Sequence, residues 1–478
     1  MTAPIESPPI EWIDEYVSRL RDYIFVREED NLLIKVPNVA HKLNAGGVRV
    51  MKRLLGGESV MDLWTSYGST PEVRRDLYAF FVGLKQVLQG CVNERRLPEG
   101  VTTRPFALGF SALPVLSEIA VTYRCNLACK FCYAGCSCKK DMTSSAEMST
   151  TEVCRILDII RHEAQTPSVS FTGGEPLLRE DIRDLIRHAR YNLAMRVNLI
   201  TNGTLIDART ARGLHEAGLH SAQVSLEAPE PEIHDCLTQA KGSYEASVGA
   251  VRHLREAGVS VHTNTTINRV NRDCAIRMPE FARSMGLERF SMNLVIPAAR
   301  DDARSEIYMT YSEAAEVIPR IQEEARRNGV EFMWYSPTPL CLFNPVAHQL
   351  GNKGCAACDG LLSVSPTGDV LPCSSWPEPV GNLLREPFRE VWDSAQGKWL
   401  REKRFAPETC RECEDFALCQ SGCPLYWRHF GYAELDKTTA FRRVSDLSDL
   451  SDPSDRSDIV RQHEALAERR TTHAIASR

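Results

Sequence analysis

Short apolar strands alternate with amphipathic helices through the middle of the chain, and this alternation limits the folds open to it. The segments 118–123, 168–172, 197–202, 222–227, 259–267 and 289–295 read as buried strands. Amphipathic segments lie between them, such as a helix predicted over 244–257, which the glycine at 258 would end. Repeated strand–helix units build a parallel sheet that binds ligands at the carboxyl ends of its strands. The sequence therefore predicts an α/β fold.

Three cysteines follow the first of these strands on one short loop. Cys125, Cys129 and Cys132 stand at C-x-x-x-C-x-x-C spacing. Three thiolates can hold three irons of a four-iron cubane and leave the fourth iron without a protein ligand, where chemistry can take place. A zinc site completed by Cys136 or Cys138 is one alternative, and free thiols are another.

The loop Cys-Asn-Leu-Ala-Cys-Lys-Phe-Cys, with the aromatic Phe131 before its last cysteine, resembles the cluster loop of the radical S-adenosylmethionine enzymes. The resemblance implies an open, partial (β/α)6 TIM barrel. It also implies a 4Fe-4S cluster whose open iron chelates S-adenosylmethionine through its amino and carboxylate groups. An electron from the cluster would break the sulfonium bond and give a 5'-deoxyadenosyl radical. Because that electron needs a low potential, we expect a flavodoxin or ferredoxin-type reductant as a partner.

Candidate residues for binding S-adenosylmethionine stand at the ends of the predicted strands. Gly173, Gly174 and Glu175 follow the second strand and resemble the family's Gly-Gly-Glu segment, which hydrogen-bonds the ligand's amino group. Paired glycines also let a backbone approach a ligand closely. Further candidates for the ribose and the carboxylate, each of which could instead be a helix cap or a turn residue, are Asn202, Ser225, Glu227 and Asn268. The family often has aspartate where Glu227 stands.

A second group of cysteines lies in the last third of the chain. Its spacing is C-x-x-C, then five, then three intervening residues, after an upstream C…G-x-x-x-x-C. This resembles the SPASM extension, which carries auxiliary iron–sulfur clusters in peptide-modifying radical enzymes. A zinc ribbon is the alternative, since C-x-x-C pairs also suit tetrahedral zinc. By the resemblance, one cluster takes Cys355, Cys358, Cys373 and Cys423, with Cys341 as a spare candidate, and the other takes Cys410, Cys413 and Cys419.

One departure from the family concerns the second auxiliary cluster. The family usually has a further cysteine after the last pair, and this chain has none beyond Cys423. Residues 445–458 instead form a serine–aspartate repeat that we expect to be solvated and poorly ordered. The sequence leaves three possibilities for this cluster: an open iron, an oxygen ligand such as an aspartate, or no cluster.

The amino-terminal segment predicts a small winged-helix-like domain. Strands over 23–27 and 31–36 form a hairpin, and three helices follow, starting at Asn44, Ser59 and Thr70. This order resembles the peptide-recognition element beside pyrroloquinoline quinone biosynthesis and other ribosomal-peptide maturation enzymes. Such elements bind a leader peptide as an added strand. A DNA-binding winged helix is the competing interpretation, but acidic and basic residues nearly balance over 1–100, which argues against it.

These features predict four segments and one activity. The segments are a peptide-recognition element over 1–100, the barrel over 112–330, an iron–sulfur SPASM domain over 331–440 and a low-complexity tail over 441–478. The activity is a radical S-adenosylmethionine maturase that abstracts a hydrogen atom from a ribosomally made precursor peptide and crosslinks or otherwise modifies it. Three alternatives stay open: a SPASM enzyme that acts on another protein, as sulfatase maturases do; an enzyme acting on a small molecule such as a tetrapyrrole; and a non-catalytic iron–sulfur protein.

Composition narrows the partners and the compartment. A formal net charge of −6 gives no reason to expect a nucleic-acid partner. The sequence has no signal peptide and no apolar run long enough to span a bilayer, so we expect no membrane partner. The 17 cysteines without a secretion signal indicate reduced thiolates and bound metal, and therefore the cytoplasm.

Overall fold

The computed structural model describes residues 8–90, 97–134, 147–298, 305–435 and 471–475 of the 478-residue chain. These residues form two units. The first contains the described residues of Met1–Val115 and Ala467–Arg478, and the second those of Leu116–Leu466. The predicted boundary at residue 330 therefore lies inside the second unit. Cys136, Cys138 and the repeat over 445–458 lie outside the described residues.

The first unit contains a helix, a three-stranded antiparallel sheet and three further helices. The side chains of Asn44, Ser59 and Thr70 each accept a backbone N–H from the first turn of the helix that follows. The predicted hairpin and the three predicted helix starts are confirmed. The elements are α1 (Trp12–Leu20), β1 (Ile24–Arg27), β2 (Leu32–Lys35), β3 (Val39–Leu43), α2 (Ala45–Leu55), α3 (Val60–Ser66) and α4 (Pro71–Gln89).

Two further strands extend this sheet. β4 (Val101–Pro105) pairs antiparallel with Thr471–Ile475, here called the tail strand. The tail strand also pairs parallel with Lys42 and Leu43 at the end of β3, so the order is β1-β2-β3-tail strand-β4. The sequence predicts a low-complexity tail over 441–478 and no strand there, whereas these five residues form one. Strand edges carry backbone donors and acceptors that need partners, and the tail strand supplies them to both neighbours.

The second unit is built on a ten-stranded sheet. Its order is β11-β10-β9-β8-β7-β6-β5-β12-β13-β14, and neighbouring strands from β5 to β11 are all parallel. Its strands are β5 (Leu116–Thr122), β6 (Ser168–Gly173), β7 (Arg196–Thr201), β8 (Ser221–Ser225), β9 (Ser260–Ile267), β10 (Arg289–Leu294), β11 (Glu331–Trp334), β12 (Leu361–Val364), β13 (Asp369–Leu371) and β14 (Gly381–Asn382).

Helices connect the parallel strands, and further helices lie in the cysteine-rich segment that comes after them. The six predicted strands correspond to β5–β10, and β11 adds a seventh parallel strand. The sheet does not close, because the second neighbour of β5 is β12. The helices are α5 (Thr150–His162), α6 (Ile182–Arg187), α7 (Ala208–Glu216), α8 (Pro231–Thr238), α9 (Ser243–Glu256), α10 (Met278–Ser284), α11 (Tyr311–Asn328), α12 (Phe388–Trp392), α13 (Ala395–Arg401), α14 (Glu408–Arg411), α15 (Phe416–Cys419) and α16 (Pro424–Phe430).

Candidate active site

The first cysteine loop leaves the carboxyl end of β5 and is fixed by backbone hydrogen bonds. The amides of Ala128 and Lys130 donate to the carbonyls of Thr238 and Leu237, at the end of α8, over 3.2 and 2.9 Å. On the other side, the Asn126 side chain donates to Thr204 Oγ1 over 2.7 Å. The loop is therefore held between the ends of two neighbouring strand–helix units.

The three thiols of this loop lie close together. Burial raises the pKa of the Cys129 thiol well above its usual range, and the charges of Glu227, Cys132 and Cys125 raise it further. Burial also raises the pKa of Cys125, and the charge of Cys132 raises it further. These surroundings disfavour the free thiolates, but a bound cation reverses that, because metal ligation deprotonates a thiol. Three converging, half-buried thiols fit the predicted role as ligands of a 4Fe-4S cluster.

A single metal ion fits these residues less well than a cluster does. A zinc ion with bonds of about 2.3 Å draws its thiolates close to one another, whereas each thiolate of a four-iron cluster binds a different iron. Within the described ranges, no three His, Cys, Asp or Glu side chains are gathered tightly enough to hold one metal ion.

The two glycines after β6 are required by the backbone of the cysteine loop. A Cβ atom on Gly173, whose φ is +133°, would lie 2.0 Å from the carbonyl oxygen of Thr122. On Gly174 it would lie 2.1 Å from the carbonyl oxygen of Arg124. The amides of Gly174 and Glu175 donate to these two carbonyls over 2.8 Å each. Only glycine permits this approach, so the pair fixes the end of β6 against the start of the loop.

Glu175 joins the ends of β6 and β7. Its buried carboxylate accepts hydrogen bonds from Thr201 Oγ1 and from the amide of Asn202, all 2.9 Å long. It also accepts from the amide of Leu177 over 3.1 Å. Burial raises its pKa to about 7, and the two backbone donors partly oppose that shift. In this arrangement the carboxylate positions Asn202 beside the cysteine loop.

The remaining predicted strand-end residues differ in their hydrogen-bond partners. Asn202 donates to Asn126 Oδ1 in the cysteine loop over 3.0 Å. Glu227 is buried, accepts from the Thr266 amide over 2.8 Å, and has a pKa raised to about 8 by burial. Ser225 ends β8 and is half-buried. The Asn268 side chain instead accepts from the Val270 amide and donates to the Thr266 carbonyl, as a turn residue does.

Polar side chains line one face of the parallel sheet, and sequence reasoning missed them. Asn198 bonds both Ser170 and Ser221, and Gln223 bonds His262. The opposite faces of β7 and β8 carry buried apolar side chains, as expected where helices cover a sheet. The polar face is therefore the interior of the barrel. The signal was present as polar residues at every second position of otherwise apolar strands. The set is Glu118, Ser170, Asn198, Ser221, Gln223, His262, Asn264, Ser291 and Asn293.

Glu118 is the acidic member of this set and stands in β5. Its carboxylate accepts a 2.7 Å hydrogen bond from Ser363 Oγ and is also hydrogen-bonded by Ser374. Burial raises its pKa, and these hydrogen bonds partly oppose the shift. Burial is the main cause of the raised pKa of Tyr133, beside the first cysteine loop, and of Cys373, in the second cysteine group, and the charge of Glu118 raises both further. Glu118 therefore lies between the two cysteine regions.

The second group of cysteines divides into two clusters of thiols. Burial raises the pKa of Cys358, Cys373 and Cys423, and the nearby Cys355 raises each of them further, so these four thiols lie near one another. Other cysteines line a separate cavity with an empty volume of about 480 Å³, including its open mouth. The sequence offered Cys341 as a spare ligand for the first cluster, but the structure places this residue at the second cavity. The cysteines of the second cavity are Cys341, Cys410, Cys413 and Cys419.

Comparison with known families agrees with this geometry. Residues 119–282 match the family model of the Radical SAM superfamily, and residues 355–414 match that of SPASM, an iron–sulfur cluster-binding domain. The chain carries both domains. It is therefore an enzyme of radical SAM chemistry, with S-adenosylmethionine and iron–sulfur clusters as cofactors. The matches and the parallel sheet confirm the predicted fold class.

Two kinds of curated protein resemble the Radical SAM and SPASM part. The AdoMet-dependent heme synthase of Oleidesulfovibrio alaskensis is 28% identical over 320 residues, or 63% of this chain and 80% of that protein. The PqqA peptide cyclase of Streptomyces rochei is 29% identical over 318 residues, or 64% of this chain and 83% of that protein.

Solved structures extend the likeness of fold to more of the chain. SuiB of Streptococcus suis, bound to precursor peptide SuiA, aligns with a TM-score of 0.61 at 17% identity. That alignment covers 87% of this chain and 96% of SuiB. The anSMEcpe protein with bound AdoMet aligns with a TM-score of 0.54 at 19% identity, over 69% of this chain and 98% of its own. At these identities the likeness concerns the fold alone.

None of the helices in the described part of the chain combines the length and apolar character needed to cross a membrane.

Proposed function

We propose that this protein is a maturase that cleaves S-adenosylmethionine reductively and abstracts a hydrogen atom from a ribosomally made precursor peptide. The observation that carries the proposal is the combination of three parts in one chain. These are a three-cysteine loop at the carboxyl end of a polar-lined barrel, a SPASM domain, and a separate unit with a small antiparallel sheet. The similarity to PqqA peptide cyclases and to SuiB, whose structure contains a precursor peptide, supports it.

The residues of the barrel have distinct tasks in this proposal. When bound, a 4Fe-4S cluster held by Cys125, Cys129 and Cys132 supplies an open iron for S-adenosylmethionine and the electron that cleaves its sulfonium bond. Glu175 and Asn202 keep the cysteine loop and the neighbouring strand ends in place. The candidate ligands of S-adenosylmethionine are Gly173, Gly174, Glu175, Asn202, Ser225, Glu227 and Asn268.

The polar interior of the barrel would hold the target residue of the peptide. A side chain surrounded by Asn198, Gln223 and His262 can be oriented by hydrogen bonds beside the reacting carbon of the cofactor. When a new bond forms at the carbon radical, the peptide loses a proton and an electron, and the electron would pass to an auxiliary iron–sulfur cluster held by the SPASM domain. The Glu118 carboxylate, which lies inside the barrel, can accept that proton.

The first unit would bind the leader segment of the precursor. Its three-stranded sheet ends in β3, and a peptide strand can add to a sheet edge through backbone hydrogen bonds. The tail strand pairs with part of β3, so a leader peptide adding there competes with it. A flavodoxin or ferredoxin-type protein would supply the electron to the second unit.

A small-molecule substrate is the second candidate. Several of the similar proteins are named AdoMet-dependent heme synthase, at 26–28% identity. In this alternative, the polar barrel interior would take the carboxylate side chains of a tetrapyrrole, and the first unit would have no part in catalysis.

One experiment separates the two candidates. The anaerobically reconstituted protein, given S-adenosylmethionine and a reductant, is expected to form 5'-deoxyadenosine. With a peptide encoded beside the gene, it is expected to give a product of altered mass. Cys125→Ala should abolish both, whereas Cys154→Ala, a change on α5, should leave both intact. Turnover of a tetrapyrrole with no change in the mass of the peptide would refute the peptide substrate.

A further inference from the structure

The cavity lined by Cys410, Cys413 and Cys419 contains a fourth cysteine from a different part of the chain. Cys341 lies after β11, well before the C-x-x-C pair. The neighbouring amide of Leu340 donates to Cys419 Sγ over 3.3 Å, which brings the two segments together. Cys341 and Cys419 also line the same cavity. Cys341 and Cys419 are therefore neighbours in the fold.

The cavity around these thiols has the shape and lining of a cluster site. Four cysteines converge on it from the segment after β11, from α14 and its end, and from α15. Its walls are formed mainly by apolar atoms, including those of Pro339, Phe416 and Leu435. Iron–sulfur clusters are bound by thiolates, and apolar surroundings help keep solvent away from them.

The cluster assigned to the cysteines around Cys355 does not require Cys341 as a ligand. The resemblance gives that cluster four thiols, those of Cys355, Cys358, Cys373 and Cys423, and the Cys358 amide donates to the carbonyl of Pro372, next to Cys373, over 3.2 Å. The cysteine motif at the second cavity supplies only three thiols, those of Cys410, Cys413 and Cys419. No cysteine follows Cys423 in the sequence. The structure thus offers a fourth thiol at the place where the sequence lacks one.

We propose that Cys341 is the fourth ligand of an iron–sulfur cluster held by Cys410, Cys413 and Cys419. The inference rests on the SPASM domain and is independent of which substrate the enzyme modifies. With four thiolates, every iron of the cluster has a protein ligand. Such a cluster has no open iron for substrate, so its role is to carry electrons or to support the fold.

Asp415 is the competing ligand, because it is buried and lines the same cavity. A carboxylate oxygen is a harder donor than a thiolate, and iron–sulfur clusters select soft sulfur ligands. The donor set therefore favours Cys341, and the experiment includes Asp415 as an explicit outcome.

The test counts iron in a background that lacks the first cluster. The full chain carrying Cys125→Ala, Cys129→Ala and Cys132→Ala is reconstituted anaerobically with iron and sulfide. Two four-iron clusters, each held by four thiolates, would give about eight irons per chain. Adding Cys341→Ala is expected to lower this to about seven or fewer, with the EPR signal of an oxidised three-iron cluster. Adding Cys154→Ala is the matched control and should leave the iron content and the EPR spectrum unchanged.

Three results would overturn the proposal. The first is an unchanged iron content and spectrum in the Cys341→Ala protein. The second is loss of iron in Asp415→Ala but not in Cys341→Ala. The third is a background protein that binds only about four irons. About four irons left in Cys341→Ala would show that the Cys355 group still folds and that the loss is local.

A second variant covers the case in which Cys341→Ala does not fold. Cys341→Ser keeps the size of the side chain and offers an oxygen ligand. If Cys341 binds iron, the Mössbauer and EPR spectra of the serine variant change while most of the iron is kept. Spectra identical to those of the background would contradict the assignment. None of these readouts depends on peptide turnover, so failure of the proposed function would leave them intact.

Discussion

At Glu118 a single carboxylate stands inside the barrel, between the two regions that the cysteines define. Ser363 and Ser374 hydrogen-bond it, and its charge acts on Tyr133 and Cys373. A half-buried carboxyl group that is held by hydroxyl donors and has a raised pKa is a candidate for proton transfer. Because of this position, one substitution can test whether Glu118 takes part in the modification of the peptide.

Glu118→Gln is expected to lower the yield of modified peptide by about 100-fold, the typical contribution of a general base. The formation of 5'-deoxyadenosine should change little, because the residue is not part of the first cysteine loop. Because burial raises the pKa of Glu118, the carboxylate form increases as pH rises through that raised value. Product formation should therefore rise with pH in the wild type and stay flat in the variant, as measured by mass spectrometry under anaerobic conditions.

The control for this prediction is Glu288→Gln, which changes an exposed carboxylate in the same unit. It should leave both products and the pH profile unchanged. Equal losses of 5'-deoxyadenosine and modified peptide in Glu118→Gln would indicate a structural contribution of Glu118 and contradict its function as a base.

At the scale of single elements, the junction between β6 and the cysteine loop depends on two glycines. Gly174→Ala places a Cβ 2.1 Å from a backbone oxygen. The backbone cannot move away from this contact as easily as a flexible side chain could. The expected cost is about 3 kcal/mol of unfolding free energy. Chemical denaturation of the apoprotein measures it.

The matched control is Gly249→Ala on α9, where nothing lies within 4 Å of the added Cβ. Alanine there should stabilise the helix by about 0.5–1 kcal/mol. A Gly174→Ala protein as stable as the wild type would show that the loop can move away from β6, contrary to the close approach described above.

The tail strand gives a second prediction at this scale. Deleting residues 471–478 removes a strand that hydrogen-bonds the end of β3 and the whole of β4. If a leader peptide adds to the edge of β3, the deletion removes its competitor. Affinity for the precursor peptide should then rise by about tenfold, which corresponds to about 1.4 kcal/mol, in a fluorescence anisotropy titration.

Deleting only residues 476–478 keeps the tail strand and serves as the control. An affinity that is unchanged or weaker after removal of 471–478 would exclude competition at β3. It would favour instead a purely structural contribution of the tail strand to the sheet of the first unit.

At the scale of the whole molecule, the chain divides into two units, and the proposed function assigns recognition to the first and chemistry to the second. Arg27 is fully buried in the first unit and forms a two-pronged ion pair with Asp30, at 2.9 and 2.7 Å. It also donates to the carbonyls of Leu113 and Pro114, at the end of that unit's main segment. This one side chain therefore ties the hairpin to residues far along the chain.

Arg27→Ala would leave Asp30 buried without its cation, which typically costs about 3–5 kcal/mol. We expect the first unit to unfold and peptide modification to be lost, while the second unit still forms 5'-deoxyadenosine. Limited proteolysis and product analysis check the two outcomes. Arg19→Ala, which removes an exposed pair with Glu15, should change neither. Equal loss of 5'-deoxyadenosine in Arg27→Ala would contradict the separation of the two units.

Much of the fold could be predicted from the sequence, because its signals are local. The six strands β5–β10 follow from short apolar runs, and the helix starts at Asn44, Ser59 and Thr70 follow from N-cap chemistry within four residues. The grouping of Cys355, Cys358, Cys373 and Cys423 rests on the resemblance to the SPASM extension, whereas the first cysteine loop was predicted from a short spacing in the chain. For such features, the residues that interact are near neighbours in the chain.

Other features were decided only by the tertiary structure. Cys341 lies in the second cavity because the segment after β11 packs against α15. The spacing of the cysteines in the sequence does not reveal this contact. The location of Glu118 depends on which face of β5 turns inward when the strands assemble, and the partners of the tail strand depend on two free strand edges. Local chemistry therefore determined the elements and the metal-binding motifs, whereas contacts between distant segments determined which residues share a site.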